Sequence, residues 1–194
     1  METLGQPQRL TPAARAVLDA AAELFYERGI GAVGVDAIAE AAGVTKKTIY
    51  DRFRSKSAVV CAYLSERDQK YRSWVQAQLG MAEGAASPLA VFDALDSWLA
   101  AHGQKGCAFV HAHAELLGEP EHPAHAIINE QKQWLHQKFT ELVDQDHPAG
   151  AENLAEQLLA LHEGATVLRS TAAFPHAVTH ARQAADQLLQ QRRL

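Results

Sequence analysis

The sequence predicts an all-α fold, and three observations predict it. Alanine and leucine recur along the chain at spacings of three and four, the repeat that gathers apolar side chains on one face of a helix. No stretch alternates apolar and polar residues with the β-branched content of a strand. Thr11-Pro12 and Ser87-Pro88 each pair a capping residue with a proline, a pattern that starts helices.

The elements follow in order. The first nine residues are polar and read as a frayed end. After Thr11-Pro12, Val17, Ala20, Ala21, Leu24 and Phe25 fall on one buried helical face. Gly29 is placed to end that helix in a left-handed conformation, and Gly31 and Gly34 loosen the connection. Asp36 opens a short helix with Ile38, Ala39 and Ala42 inward. Gly43-Val44-Thr45 reads as a turn and a new cap, followed by a second short helix over about residues 46–53. Residues 54–57 break the chain before a longer helix from about 57 to 79, with Val60, Leu64, Tyr71, Trp74 and Val75 as candidate buried positions. Residues 80–86 form a small-residue linker. Further helices are expected near 88–101, 106–117, 121–145, 151–172 and 176–192. Gly103, Gly106, residues 118–120, His147-Pro148 and Pro175 separate them.

Composition narrows the class. The chain has 194 residues, enough to bury a real core, with 47% hydrophobic and 21% charged residues, as in a soluble globular protein. That excludes a disordered tail, a collagen-like rod and a disulfide-framed mini-protein. Two cysteines, Cys61 and Cys107, make no framework and fit a reduced cytoplasmic location. No apolar run is long enough for a membrane span, and the N-terminus lacks the apolar core of a signal peptide.

The net charge of −5 argues, taken alone, against a nucleic-acid partner. Its distribution argues otherwise. Residues 1–80 carry a net +2 and residues 81–194 a net −7. Between Thr45 and Lys56 stand Lys46, Lys47, Arg52, Arg54 and Lys56 against the single acid Asp51. All 10 histidines lie between His102 and His180. The two parts are chemically distinct, and the first carries a basic patch able to meet phosphates; a solvated face is the alternative reading of such a patch.

Two short helices joined by a tight glycine turn are the elements of a helix-turn-helix, whose second helix enters the major groove. Ile38, Ala39, Ala42, Val44, Ile49 and Phe53 can fix the angle between the helices. Thr45, Lys46, Lys47 and Thr48 form the exposed first turn of the second helix, where lysine donates to guanine acceptors or phosphate. Tyr50 and Arg52 can bracket the groove at the backbone, and Lys56 can neutralise a phosphate.

The run Ile38-Ala39-Glu40-Ala41-Ala42-Gly43-Val44-Thr45-Lys46-Lys47-Thr48-Ile49-Tyr50-Asp51-Arg52-Phe53-Arg54-Ser55-Lys56 closely resembles the helix-turn-helix of the TetR family of bacterial transcriptional regulators. Ala20-Ala21-Ala22-Glu23-Leu24-Phe25-Tyr26-Glu27-Arg28-Gly29 resembles that family's first helix. The strong resemblance covers roughly residues 11–64. The chain departs from the pattern at Gly34, where the family often has a capping Thr, and at Lys47, where it often has a small residue. Asp51 lies near the expected DNA-facing surface and is expected to pair with Lys47 four residues earlier.

The resemblance implies a three-helix DNA-binding domain over 11–64 and a helical ligand-binding and dimerisation domain over 65–194. Leu154, Leu158, Leu161, Ala165 and Leu168 make one candidate dimer stripe, and Ala181, Ala185 and Leu188, with Val178 and Leu189, make another. Intramolecular core is the alternative for some of these positions. Trp98, Phe109, Trp134 and Phe139 are candidate apolar walls of an effector pocket, with Cys107 and His111 as polar handles; ordinary core packing is the alternative for each. The stretch from Gly106 to Leu116 also resembles a segment of one C-terminal subgroup of the family, which often has Asn where His111 stands.

The expected function is a cytoplasmic, ligand-responsive repressor. It binds a near-palindromic double-stranded DNA operator as a homodimer and responds to a small, largely apolar effector, with no cofactor, metal or membrane. Three alternatives stay open. One is a helical protein-interaction module without DNA. The second is a metal sensor built on His111 with Glu115 or on His122 with His125. The third is a thiol sensor built on Cys107 beside Lys105 and His111. Cys107 and His111 also make a dyad on paper, but no third orienting group or oxyanion motif accompanies them, so no enzyme is expected.

Overall fold

A computed structural model describes residues 10–81, 86–103, 105–144, 150–171 and 174–191. Among these residues there are nine helices and no strand. The polar first nine residues, most of the 80–86 linker and the His147-Pro148 break lie outside the described residues.

Helix α1 (Pro12–Arg28) begins as its sequence asks, with the Thr11 hydroxyl accepting from the backbone N–H of Ala14 at 3.3 Å. It ends at Gly29, whose φ of 87° suits glycine alone and whose N–H closes the last turn on the Phe25 carbonyl. Helix α2 (Val35–Ala41) starts at Gly34 with no side-chain cap, the weakness expected from a glycine there. Helix α3 (Lys46–Phe53) is capped by Thr45, which accepts from Thr48 N–H at 3.2 Å. Helix α4 (Lys56–Gly80) starts one residue earlier than the sequence suggests, because Ser55 caps it by accepting from Ala58 N–H at 3.0 Å. Helices α5 (Leu89–His102), α6 (Ala108–Glu115), α7 (Ala124–Asp144), α8 (Ala151–Thr171) and α9 (Ala177–Gln191) complete the chain.

The apolar faces make two cores. The first holds Val17, Ala21, Phe25, Ile38, Ile49, Val59 and Leu64 from α1–α4. It also takes Ala108, Phe109 and Ala112 of α6 and Ala124 and Ile128 of α7. The second holds the end of α4 (Tyr71, Val75) with α5, the rest of α7, α8 and α9. A division at 64/65 therefore falls inside α4, a continuous helix that serves both cores, and α6 packs with the N-terminal helices despite its place in the sequence. Burial at these sites contributes roughly 1.5–3 kcal/mol per large side chain.

Candidate functional site

The helix-turn-helix is built from α2 and α3. Ile38 and Ile49, both fully buried, anchor the two helices on α1. Gly43, at φ 64°, makes the turn, and no atom stands within 4 Å of where its Cβ would be. The backbone conformation, not crowding, therefore selects glycine. Burying one face of α3 turns the other outward: Thr45, Lys46, Lys47, Tyr50 and Arg52 are exposed and Thr48 half-buried.

These side chains are not equivalent. Lys46 Nζ lies 2.5 Å from Asp36 Oδ1 of α2, an exposed pair. Lys47 forms no ion pair with Asp51, so the expected i, i+4 pair is not formed; the acid on α2 takes Lys46 instead. The Thr45 and Thr48 hydroxyls contact each other at 3.0 Å. Lys56 is half-buried and donates to the Ile30 carbonyl at 2.6 Å, tying the start of α4 to the α1–α2 connection.

A cavity of about 410 Å³, counting its open mouth, lies between α4, α5, α6, α7 and α8. Trp98, Cys107 and Phe109 line it. The other three expected pocket residues do not. Phe139 is fully buried beside Phe92 and the His162 ring, inside the core. Trp134 sits on the neighbouring stripe of α7, with the Arg72 guanidinium 4.9 Å from its ring centre. His111 is half-buried outside the lining. One face of α7 points Gln131, Leu135 and Phe139 inward, and only Gln131 is level with the cavity.

Beyond Cys107, charged and polar groups of the wall such as Gln131, Lys132, His162 and Glu163 carry no local sequence signal. Lys132 Nζ bonds Glu163 Oε2 at 2.7 Å and donates to Cys107 Sγ at 3.6 Å. Burial pushes the Glu163 carboxyl up, but His162 and Lys132 outweigh it and hold the group at about 2. Burial lowers Lys132, while Cys107 and Glu163 more than reverse this and keep it charged. His162 is buried and its basicity is lowered by that burial. A neutral ring with its proton on Nδ1, 3.5 Å from Glu163, leaves Nε2 to accept from Tyr71 OH at 2.9 Å. Lys132 and Glu163 lie 31 residues apart, so no local pattern signals the pair.

Helix α6 joins this cavity to α1 and to the connection between α1 and α2. At its start, Tyr26 OH donates to the Gly106 carbonyl and accepts from Lys105 N–H, both at 3.1 Å. Lys105 Nζ pairs with Glu27 at 2.6 Å. At its end, Glu115 accepts from Gly31 N–H at 2.7 Å.

The dimer stripes divide by burial. Leu154, Leu158 and Ala185 are fully buried, and Ala165 and Ala181 nearly so, within one protomer. Leu154, Leu158 and Ala185 are therefore core and not interface, because no partner can reach them. Leu161 and Leu188 are half-buried, and Leu168 is 46% exposed. With Phe174 (57% exposed), Ala160, Gly164 and Ala184 they line open apolar grooves along α8 and α9.

The candidate metal pairs have other occupations. Glu115 holds Gly31, His122 Nδ1 accepts from Ala124 N–H, and His125 Nε2 lies 3.0 Å from the Glu119 carbonyl. Among the described residues no three His, Cys, Asp or Glu side chains are grouped to hold a metal ion. No helix among them is long and apolar enough to cross a membrane.

Residues 17–63 match the family "bacterial regulatory proteins, tetR family". The uncharacterised HTH-type transcriptional regulator YdeS of Bacillus subtilis is 50% identical over 46 residues, 24% of this chain and 23% of that protein. The uncharacterised HTH-type transcriptional regulator Rv1255c of Mycobacterium tuberculosis is 36% identical over 63 residues, 32% of this chain and 31% of that protein. This chain spans only about a quarter to a third of these relatives' own length. The crystal structure of SCO4454, a TetR-family transcriptional regulator from Streptomyces coelicolor, is similar over nearly the whole chain. It superimposes with a TM-score of 0.85 at 29% identity, over 93% of this chain and 96% of that one. The helix-turn-helix on α2 and α3 thus lies within a stretch, residues 17–63, that matches the tetR family of bacterial regulatory proteins, and the all-helical body is similar along nearly the whole chain to that of a TetR-family transcriptional regulator.

Proposed function

We propose that the protein is a ligand-responsive transcriptional repressor that binds a near-palindromic operator as a homodimer. The observation that carries this reading is the outward first turn of α3, with Thr45, Lys46, Lys47 and Thr48 offered beside exposed Tyr50 and Arg52. A helix N-terminus with two lysines suits phosphate and the guanine edge together. The apolar grooves along α8 and α9 favour pairing with a second copy, which brings two recognition helices to successive major grooves. The effector cavity lies at the start of α6, and the end of α6 grips the connection into α2. A ligand that binds one placement of α6 better than another shifts the spacing of the two reading heads by that difference in affinity alone.

The test is selection of duplex DNA from a random pool by the full chain, followed by titration at several salt concentrations. A selected site with twofold symmetry, and an affinity that falls steeply with salt, supports the reading. Lys47→Ala should lower affinity by about 1–3 kcal/mol if it reads a base. Lys46→Ala should cost less, because Lys46 leaves Asp36 to reach DNA. No selected site, or a double variant at Lys46 and Lys47 that binds like the parent, rejects it.

A further inference from the structure

Cys107 occupies an unusual place. It is half-buried in the cavity wall and stands at the N-cap of α6, where the helix end presents positive partial charge. Lys132 Nζ, fixed by Glu163, lies 3.6 Å from its sulfur. Reactive cysteines sit in electropositive, partly accessible surroundings of this kind. The cavity also holds an unused polar group: Gln131 is 3% exposed, and its Oε1 has no hydrogen-bond partner. A half-turn of that amide offers its NH2 to a ligand carbonyl. Trp98, Leu95 and Leu99 supply apolar wall. Cys61, by contrast, is in no described cavity, and burial pushes its thiol up.

We propose that this cavity is a covalent receptor for small α,β-unsaturated carbonyl compounds, with Cys107 Sγ as the nucleophile and the Lys132 ammonium as its electrostatic partner. The thiol proton leaves to water. Sγ then forms a bond to the β-carbon of the alkene, and the π pair moves to the carbonyl oxygen as an enolate. A proton from water returns to the α-carbon. The net change is addition of S and H across the double bond, with nothing oxidised and no group expelled. The adduct adds bulk at the first turn of α6, and this regulatory consequence rests on the DNA-binding function proposed above. The addition itself does not.

The full chain is treated with 2-cyclohexenone, and adducts are followed by intact mass and by peptide mapping. Cyclohexanone, which cannot add, is the control. The expected result is a single adduct on Cys107, with at least about tenfold preference over Cys61, the size of effect one neighbouring charge produces. Lys132→Gln should slow the addition several-fold and Lys132→Arg should retain most of it. Should Lys132→Gln fail to fold, the preference for Cys107 over Cys61 in the parent protein decides the question. Equal labelling of both cysteines, or none, overturns the proposal. On the selected duplex, cyclohexenone should release the parent protein and leave Cys107→Ser bound. Release by cyclohexanone alone, or an adduct that leaves DNA affinity unchanged, overturns the regulatory part. If the untreated protein binds no DNA, the repressor reading fails while the mass measurement still decides the receptor.

Discussion

Glu115, the last residue of α6, accepts a hydrogen bond from the backbone N–H of Gly31 at 2.7 Å, across 84 residues of sequence. The contact fastens the end of α6 to the connection between α1 and α2. Glu115→Ala should therefore loosen that connection while leaving both cores packed. The expected cost is about 1 kcal/mol, since the bond is exposed. Hydrogen exchange at Gly31 and its neighbours should quicken, with exchange in α8 unchanged.

The glycines near this contact should differ sharply. At Gly29, φ is 87°, and a Cβ would stand 2.9 Å from Glu115 Oε2. Gly29→Ala should cost roughly 1–3 kcal/mol in urea denaturation, mostly from the backbone conformation. Gly34 has an ordinary extended backbone and open space around its missing Cβ. Gly34→Ser should supply the absent cap of α2 and stabilise the fold by roughly 0.5–1 kcal/mol.

The two sets of leucines can be separated by experiment. Leu158 is fully buried, so Leu158→Ala should cost about 2–5 kcal/mol in the stability of the protomer. Leu168 is 46% exposed, so Leu168→Glu should leave the helical content intact. If the proposed homodimer pairs through the groove that Leu168 lines, sedimentation should find the parent dimeric and that variant monomeric at the same concentration.

Acid should weaken the fold in two stages. His162 is less basic folded than unfolded, so the unfolded chain takes up a proton first and stability falls as pH drops below the usual histidine range. Glu163 is held at about 2 against an ordinary 4.5, so its contribution is complete above pH 4.5 and is lost as pH falls from there towards 2. Chemical denaturation across pH 8 to 3 should show both steps, and Glu163→Gln should shrink the lower one, to which Glu66, lowered by Arg15 and Lys70 against its burial, also contributes.

The helices and the reading head were legible in the sequence because their causes are local. Thr11 and Thr45 cap where hydroxyls precede apolar periodicity, and Gly29 and Gly43 turn where only glycine fits, whereas the Ser55 cap of α4 lies inside the expected break. The cavity was legible only in part. Trp98, Cys107 and Phe109 belong to it, but Trp134 and Phe139 share their composition and face elsewhere. Periodicity identifies a face and does not say which neighbour it meets. Long-range polar partners such as Lys132 with Glu163, or Glu115 with Gly31, leave no local trace at all. The leucine stripes on α8 and α9 were likewise too coarse, since adjacent positions on one helix divide between core and surface.

Helix α4 runs 25 residues without an interior glycine or proline, and its two ends belong to different cores. At about 1.5 Å per residue it is a rod of roughly 37 Å. A rod of that length lacks a swivel. The helix-turn-helix therefore has no hinge within α4 to turn on, and under the proposed function its placement would follow the tilt of the rod. In a paired molecule the interval between two such heads would thus be a measurement the bodies make of their own interior. DNA is the ruler against which it is read.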